Sequence, residues 1–218
     1  MCDRTIVNPG LGADACPNRF STGEPRAMKH ILRGLVALTA IALFPAAAQA
    51  ATWTIDASHS TVVFNVIHVG AGSFWGTFNQ VTGTFDFDEA NPAKSKVDIT
   101  VDANSIFTAD KKRDSHLKSP DFFNTKQFPV FTFKSKAVAA GKAAGTYAVT
   151  GDLTVRGVTK TVTVTMKKIG EGSDPWGNKR IGFEGELTID RTDFGVSYMP
   201  GGLSKKVRLI IAVEGMRK

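Results

Sequence analysis

Apolar and polar residues alternate along most of the chain after residue 50, in short segments separated by Gly, Asn, Asp and Pro. Alternation with a period of two places the apolar side chains on one face of a β-strand and the polar side chains on the other. In QVTGTFDFD, for example, Val81, Phe85 and Phe87 share one face, and Thr84 and Asp86 lie on the opposite face. The pattern therefore predicts antiparallel β-sheet with one apolar face.

At least eight segments carry this alternation, and besides QVTGTFDFD they are TWTID, STVVFNVIHV, KVDITVDA, VFTFKSK, TYAVTGDLTV, TVTVTMK, IGFEGELTI and VRLIIAVE. Sheets with one wet face either stack as a sandwich or close into a barrel. Closure leaves no edge strand to protect, so we favour an all-β barrel over the sandwich. Two turns agree with this fold, because Arg156 and Gly157, and then residues 175–178, lie between strands where positive φ is often needed.

Residues 108–128 interrupt the period of two. This stretch is rich in charge and carries Leu117, Phe122 and Phe123 at irregular spacing. Residues 110–118 are its best helical candidate, because a negative start and a positive end complement the helix dipole. We expect a short helical insertion laid across one end of the barrel, where the mouth of a ligand cavity would lie.

Residues 28–50 have the order of elements found in a bacterial secretory signal peptide: a basic start, an apolar run over residues 35–44 and a small-residue site at 48–50. The apolar run is far shorter than the roughly 20 residues that span a bilayer, and no later segment is a candidate span. We predict cleavage after Ala50 and a periplasmic location.

Residues 1–27 precede Met28 and are polar and rich in Pro and Gly. We interpret them as an over-extended start, and a genuine disordered extension is the alternative. Both cysteines, Cys2 and Cys16, lie in this region. The predicted mature domain, residues 51–218, therefore depends on neither a disulfide nor a thiolate site.

The length of the mature domain suits a single domain. Its 22 Lys/Arg and 17 Asp/Glu are interspersed, so no basic stripe indicates nucleic-acid binding. His59, His68 and His116 are isolated, and no H-E-x-x-H or G-x-S-x-G motif is present. We therefore expect no metal site, no cofactor and no catalytic residue. An enzyme in which His68 or His116 acts with a carboxylate on a bound lipid is an alternative.

Four segments of the predicted mature domain stand out as motifs: IDASHSTVVFNVIH (55–68), RDSHLKSPDFFNTKQFP (113–129), GDLTVRGVTKTV (151–162) and RTDFGVS (191–197). In these segments the chain resembles the YceI family of bacterial periplasmic proteins, lipocalin-like barrels associated with polyisoprenoid binding. The resemblance covers essentially all of the mature domain. It implies an extended antiparallel eight-stranded barrel with a helical insertion, and an apolar tunnel that takes a long isoprenoid or similar lipid tail.

By that similarity, the apolar residues that alternation turns inward would form the tunnel wall. They are Phe64, Val66, Phe85, Ile99, Phe122, Phe123, Phe131, Phe133, Leu153, Val164, Phe183 and Leu187. Polar contacts to a headgroup are expected from His68, Arg113, His116 and Lys118. For the last three residues the alternative role is to hold the insertion to the barrel.

The expected ligand is long for an energetic reason. Burial of a methylene stabilises by about 0.8 kcal/mol, so a five-carbon isoprene unit contributes about 4 kcal/mol against an association cost of about 4–15 kcal/mol. We predict a non-catalytic protein that transports, stores or sequesters a long-chain isoprenoid lipid. Fatty acid derivatives or quinone tails are the first alternative, and a barrel with a filled core is another. The sequence leaves both a monomer and a homodimer open.

Overall fold

The structure is a computed structural model that describes residues 50–218. The predicted extension, residues 1–27, and the predicted signal peptide up to residue 49 lie outside the described residues. The strands are β1 Ala51–Ile55, β2 Thr61–His68, β3 Gly72–Phe78, β4 Val81–Phe87, β5 Lys96–Asp102, β6 Ile106–Phe107, β7 Val130–Ala140, β8 Thr146–Val155, β9 Val158–Ser173, β10 Lys179–Asp190 and β11 Lys206–Arg217. One α-helix, α1 Lys111–Lys118, follows β6, and 3-10 turns cover Pro92–Lys94, Ala103–Ser105 and Arg191–Phe194.

Eight antiparallel strands close into a barrel. Strands β1, β4, β5, β7, β8, β9, β10 and β11 are hydrogen-bonded in that order, and β1 also pairs with β11. Strand β2 continues along β11 beyond β1, β3 pairs with β2, and β6 pairs with β3. Three positions in the barrel wall are therefore each shared by two strands: β1 with β2, β4 with β3, and β5 with β6. The predicted eight-stranded antiparallel barrel is confirmed, and the sandwich alternative is wrong.

The alternation in the sequence corresponds to the two faces of the barrel wall. On β4, Val81 and Phe85 are buried and Thr82 and Thr84 are exposed. The buried side chains form two clusters, one around Phe183 and the other around Phe131.

Sequence reasoning missed two strands, β3 and β6. The segment GAGSFWG in and before β3 has too many glycines to show a period of two, and β6 has only two residues. Both are held by tertiary pairing, β3 to β2 over seven residue pairs.

The two ends of the barrel differ in their connections. The insertion end carries residues 69–71, 103–129, 156–157 and 191–205, and the hairpin end carries residues 88–95, 141–145 and 174–178. The predicted helix is confirmed as α1 in the first of these groups, and the Asp110 side chain accepts a hydrogen bond from the Arg113 N–H at 2.9 Å. This cap satisfies one of the free N–H groups of the first turn. At eight residues, α1 is too short to cross a bilayer, and no helix within residues 50–218 meets that requirement.

Arg180 joins three acidic side chains close to the hairpin end. Its guanidinium group bonds to Asp56, to Glu214 at 2.9 Å and to Asp174 at 3.0 Å. His59 Nδ1 lies 3.0 Å from Asp56 Oδ2, the same oxygen that accepts from Arg180. Although Asp56, His59 and Glu214 are close enough together to hold a metal ion, Arg180 already supplies the positive charge that the two carboxylates need.

Candidate ligand-binding cavity

A cavity of about 720 Å³ lies inside the barrel. Its walls come from the inward faces of the strands and include residues of both buried clusters. The interior of an eight-stranded barrel is just wide enough to be filled by side chains or to hold one ligand. The volume lies within the range of about 300–1,000 Å³ that is typical of small-molecule sites. The barrel is therefore hollow, and the filled-core alternative is wrong.

All twelve apolar residues that the sequence analysis selected line this cavity: Phe64, Val66, Phe85, Ile99, Phe122, Phe123, Phe131, Phe133, Leu153, Val164, Phe183 and Leu187. Ten of them belong to strands, where alternation determines which side chains face inward. Phe122 and Phe123 come from the insertion, which contributes to the wall as expected. Their contact with a ligand stays a prediction.

The cavity opens at the insertion end. Seven of its lining residues are exposed, and all seven lie at this end: His68, Gly72, Ser73, Arg113, His116, Tyr198 and Met199. None of the lining residues nearest the hairpin end is exposed, because Ser95 and Tyr147 are buried and Asp86, Phe87 and Met166 are half-buried. The cavity is thus a blind tunnel with one mouth.

Aromatic packing and an ion pair close the blind end. Phe87 and Phe183 meet edge to face with ring centroids 5.0 Å apart, and Phe87 meets Tyr147 in the same way at 5.1 Å. Glu89 accepts a hydrogen bond from the Lys168 ammonium group at 2.7 Å and lies 3.5 Å from the Tyr147 hydroxyl. Burial and the nearby Glu89 charge raise the pKa of Tyr147 above its ordinary value, so this phenol stays neutral at neutral pH.

Arg113, predicted to contact a headgroup, also holds the insertion. Its Nε donates to the Thr108 hydroxyl at 2.9 Å, its Nη2 donates to the Thr108 carbonyl at 2.6 Å, and its guanidinium carbon lies 4.4 Å from the centre of the Phe74 ring. The Thr108 hydroxyl in turn donates to Asp114. Arg113 is nevertheless exposed at the mouth.

The other predicted headgroup residues differ in position. The His116 Nε2 lies 2.9 Å from an Asp121 oxygen, and the ring packs edge to face against Phe122 and Tyr198 at 5.1 Å each. His68 ends β2 at the mouth. Lys118 is not among the cavity-lining residues, and its carbonyl accepts a hydrogen bond from the Thr125 N–H at 3.0 Å. The structure therefore brings His68, Arg113 and His116 to the mouth and leaves Lys118 out of the lining.

Arg191 is a lining residue that sequence reasoning did not select. It is only 6% exposed, and it donates to the carbonyls of Ser204, Val196, Tyr198 and Leu203 at 2.7–3.2 Å. Burial lowers its pKa, and the Asp190 charge opposes that shift. These bonds fold residues 191–205 into one wall of the mouth. The motif RTDFGVS marked the position, but only the tertiary structure shows which carbonyl groups the side chain reaches.

Comparison with known proteins identifies relatives over most of the described chain. Residues 53–215 match the sequence model of the YceI-like domain. The chain is 44% identical over 193 residues to protein YceI of Escherichia coli O17:K52:H18, which covers 88% of this chain and 100% of that protein. It is 45% identical over 181 residues to a UPF0312 protein of Pseudomonas aeruginosa, covering 81% of this chain and 93% of that protein.

Solved structures agree with the fold. The chain is similar to Burkholderia cenocepacia BcnA, with a TM-score of 0.67 and 26% identity over 73% of this chain and 98% of the other. It is similar to a Campylobacter jejuni YceI protein, with a TM-score of 0.59 and 33% identity over 66% and 84% of the two chains. A polyisoprenoid binding domain from Saccharophagus degradans has a TM-score of 0.57 and 15% identity over 76% and 98%. With its barrel, its insertion and the match over residues 53–215, the chain belongs to the YceI-like family.

Proposed function

We propose that the mature domain binds a long-chain isoprenoid lipid in the blind tunnel and does no chemistry on it. The observation that carries the proposal is the cavity itself, about 720 Å³ in volume and lined almost throughout by aliphatic and aromatic side chains. Such a surface gains free energy from every methylene that leaves water. A tail that fills the tunnel has ample burial to offset the cost of association.

The tunnel wall explains why the tail, and not a polar molecule, is the expected occupant. Arg191 is the one charged lining side chain that is fully buried among the described residues, and its guanidinium already donates to four carbonyl groups. A polar ligand deep in the tunnel would lose its bonds to water without finding new partners, which costs several kcal/mol. The wall therefore selects for an apolar chain of suitable length and width.

A polar headgroup would remain at the mouth. His68, Arg113 and His116 line the tunnel there and are exposed, so they are placed to meet a hydroxyl, carbonyl or phosphate group at the end of the tail. The same arrangement suits a carrier, a store or a sequestering protein, because a ligand enters and leaves through one opening. We also propose that the chain is exported to the periplasm through the signal at residues 28–50.

The family relationship supports the barrel as a container. The Saccharophagus degradans domain is described as polyisoprenoid binding, but at 15% identity it supports the fold alone. The choice of an isoprenoid over other lipids therefore depends on the tunnel and on the test that follows.

The test uses native mass spectrometry of the protein purified without detergent, then titration with a prenyl phosphate of long chain. Leu187 lines the tunnel from β10, and the next residue, Thr188, is exposed on the outer face of the same strand. Leu187→Trp should narrow the tunnel and reduce binding by about tenfold or more, because the tail loses buried methylenes. Thr188→Trp is the matched control and should bind as the unchanged protein does.

Each outcome has a definite meaning. A stoichiometric prenyl lipid that is lost from Leu187→Trp alone supports the proposal. A fatty acid derivative or a quinone in the purified protein, with no measurable affinity for prenyl phosphate, would assign the tunnel to another lipid. Equal binding by both tryptophan variants would show that the ligand lies outside the tunnel.

A further inference from the structure

The insertion end presents apolar side chains to solvent around the tunnel mouth. Six of the nine large apolar residues that are most exposed in the described chain lie there or on the adjoining outer face of β2, β3 and β6. Val69, Tyr198 and Met199 belong to the connections, and Ile67, Trp75 and Phe107 belong to the strands. An apolar surface grouped in this way around an opening indicates a contact with another apolar surface.

The backbone conformation at Val69 and Met199 supports such a contact. Val69 has φ +47° and Met199 has φ +56°, a left-handed conformation that is uncommon for residues other than glycine and an outlier for a β-branched residue. Hydrogen bonds hold the two connections together, because the Val69 N–H donates to the Gly202 carbonyl at 2.7 Å and the Gly202 N–H donates to Met199 at 3.2 Å. Val69 is 54% exposed and Met199 is 37% exposed. Neither core packing nor backbone conformation calls for an apolar side chain at these positions.

Charge separates the two ends of the barrel. The connections of the insertion end hold eight Lys/Arg and four Asp/Glu, a net charge of +4, and those of the hairpin end hold two and three, a net charge of −1. Lys111, Lys112 and Lys205 are exposed. Within the described residues none of these three lysines forms a salt bridge, so their charge is available to an anionic surface.

We propose that the insertion end docks on a lipid bilayer that contains anionic phospholipid. Val69 and Met199 insert among the headgroups, and Lys111, Lys112 and Lys205 lie against the phosphates. Exposed apolar side chains together with cations at the same end of the barrel are the combination that binds the interface of an anionic membrane. The tunnel mouth opens within this face, so a lipid tail would pass between bilayer and tunnel without crossing water. The docking rests on the proposed function for its purpose, and of the five residues named for the docking surface only Met199 also lines the tunnel.

The experiment measures sedimentation of the mature protein with vesicles of phosphatidylglycerol and phosphatidylcholine in equal parts, and with vesicles of phosphatidylcholine alone. We expect binding to the anionic vesicles that weakens with added salt, because screening reduces the attraction. Replacement of both Lys111 and Lys112 by Gln should lower the affinity by about fivefold per lysine. Binding that is equally strong on the neutral vesicles would overturn the proposal.

The double variant Val69→Asn/Met199→Asn tests the apolar contact without risk to the fold. Asn tolerates positive φ better than Val or Met does, so thermal unfolding of the variant should begin no earlier than that of the unchanged protein. Affinity for the anionic vesicles should fall by about tenfold. The control is Trp176→Asn, because Trp176 is 81% exposed but lies at the hairpin end. Loss of binding in the control, or unchanged binding in the double variant, contradicts the docking face.

Two further measurements distinguish membrane docking from dimerisation and from lipid uptake. Light scattering of the protein alone should give a monomer, and a dimer that dissociates in the double variant would assign the apolar surface to a second copy. Leu187→Trp, which narrows the tunnel, should bind vesicles normally. If it does not, vesicle binding reports uptake of lipid and the docking face is wrong, whereas prenyl binding without vesicle binding overturns the docking and leaves the proposed function intact.

Discussion

Two arginines at opposite ends of β10 organise the two ends of the barrel in different ways. Arg180, near the hairpin end, is bonded to the carboxylates of Asp56, Asp174 and Glu214. Arg191, eleven residues later at the insertion end, bonds to backbone carbonyls, and it has no salt bridge in the part of the chain that the structure describes. The charge of Arg180 is balanced by three bonded carboxylates, whereas that of Arg191 is balanced mainly by the dipoles of the carbonyl groups to which it donates.

The difference shows how each end is built. Asp56 and Asp174 join Arg180 to two connections, and Glu214 joins it to β11, next to the aromatic side chains that close the tunnel. Arg191 holds together a long connection whose own residues form the mouth. All five non-glycine residues with positive φ within residues 50–218 lie at this end: Val69, Ala109, Asn124, Arg156 and Met199. Strained backbone is tolerated where a surface has a function. The comparison separates a closed end of the barrel from an end that gives access to the tunnel.

The largest effect on stability is expected from Arg191→Met. Loss of the guanidinium would leave buried carbonyl groups of residues 196–204 without donors, at about 1–3 kcal/mol for each, so the free energy of unfolding should fall by at least about 3 kcal/mol. Arg191→Lys should recover little, because one ammonium group cannot reproduce the fork geometry. Urea denaturation measures the free energy of unfolding of both variants. A loss below about 1 kcal/mol for Arg191→Met would show that the mouth does not depend on this residue.

An intermediate effect is expected from Gly215→Ala near the hairpin end. A methyl group at this position would collide with the ring of Phe85, which is confined between Trp53 and Phe183. Overpacking of this kind costs about 1–3 kcal/mol. Gly172→Ala on β9 is the control, because nothing lies within 4 Å of the added methyl group. Thermal unfolding midpoints should fall for the first variant only, and equal midpoints would mean that Phe85 can move into the tunnel.

The smallest effect concerns pH. Burial opposes ionisation of Asp174, but hydrogen bonds from Asn178, Arg180 and the Trp176 N–H hold its pKa at about 2. Since the pKa is about 3.9 in an unfolded chain, the unfolded state binds the proton more strongly. The contribution of Asp174 to stability is therefore present above about pH 4 and is lost as the pH falls toward about 2.

Asp174→Asn should weaken this dependence. Urea midpoints compared between about pH 5 and about pH 2 should change less in the variant than in the unchanged protein. An identical slope would assign the acid sensitivity to other groups. Asp56 is the first candidate among them, because hydrogen bonds from Ser58, followed by His59, hold its pKa far below the ordinary value.

Much of the site could be predicted because it lies on strands. A period of two assigns each residue of a half-buried strand to one face, and this rule alone placed residues such as Val164 and Leu187 on the tunnel wall. The helix was also predictable, because Asp110 at its start and Lys118 at its end are local signals. Local sequence signals do not show which residues of the insertion reach the tunnel. Lys118 was expected to contact a headgroup, but it is not among the lining residues.

The mouth could not be predicted in the same way. Tyr198, Met199 and Arg191 lie in a connection without periodicity, and their places depend on carbonyl groups up to 13 residues away in the chain. Strand β3 was missed because its glycines interrupt the alternation, and it is defined by its pairing with β2.

The sequence by itself determined the all-β class, the inward face of most strands and the position of the helix, because each of these follows from interactions between near neighbours in the chain. Only the tertiary structure decided that the barrel is hollow, that the tunnel has one mouth, and that the exposed apolar side chains and the positive charge gather around that mouth. These features depend on which distant segments meet when the ring of strands closes. The local sequence pattern does not show which distant segments will come into contact.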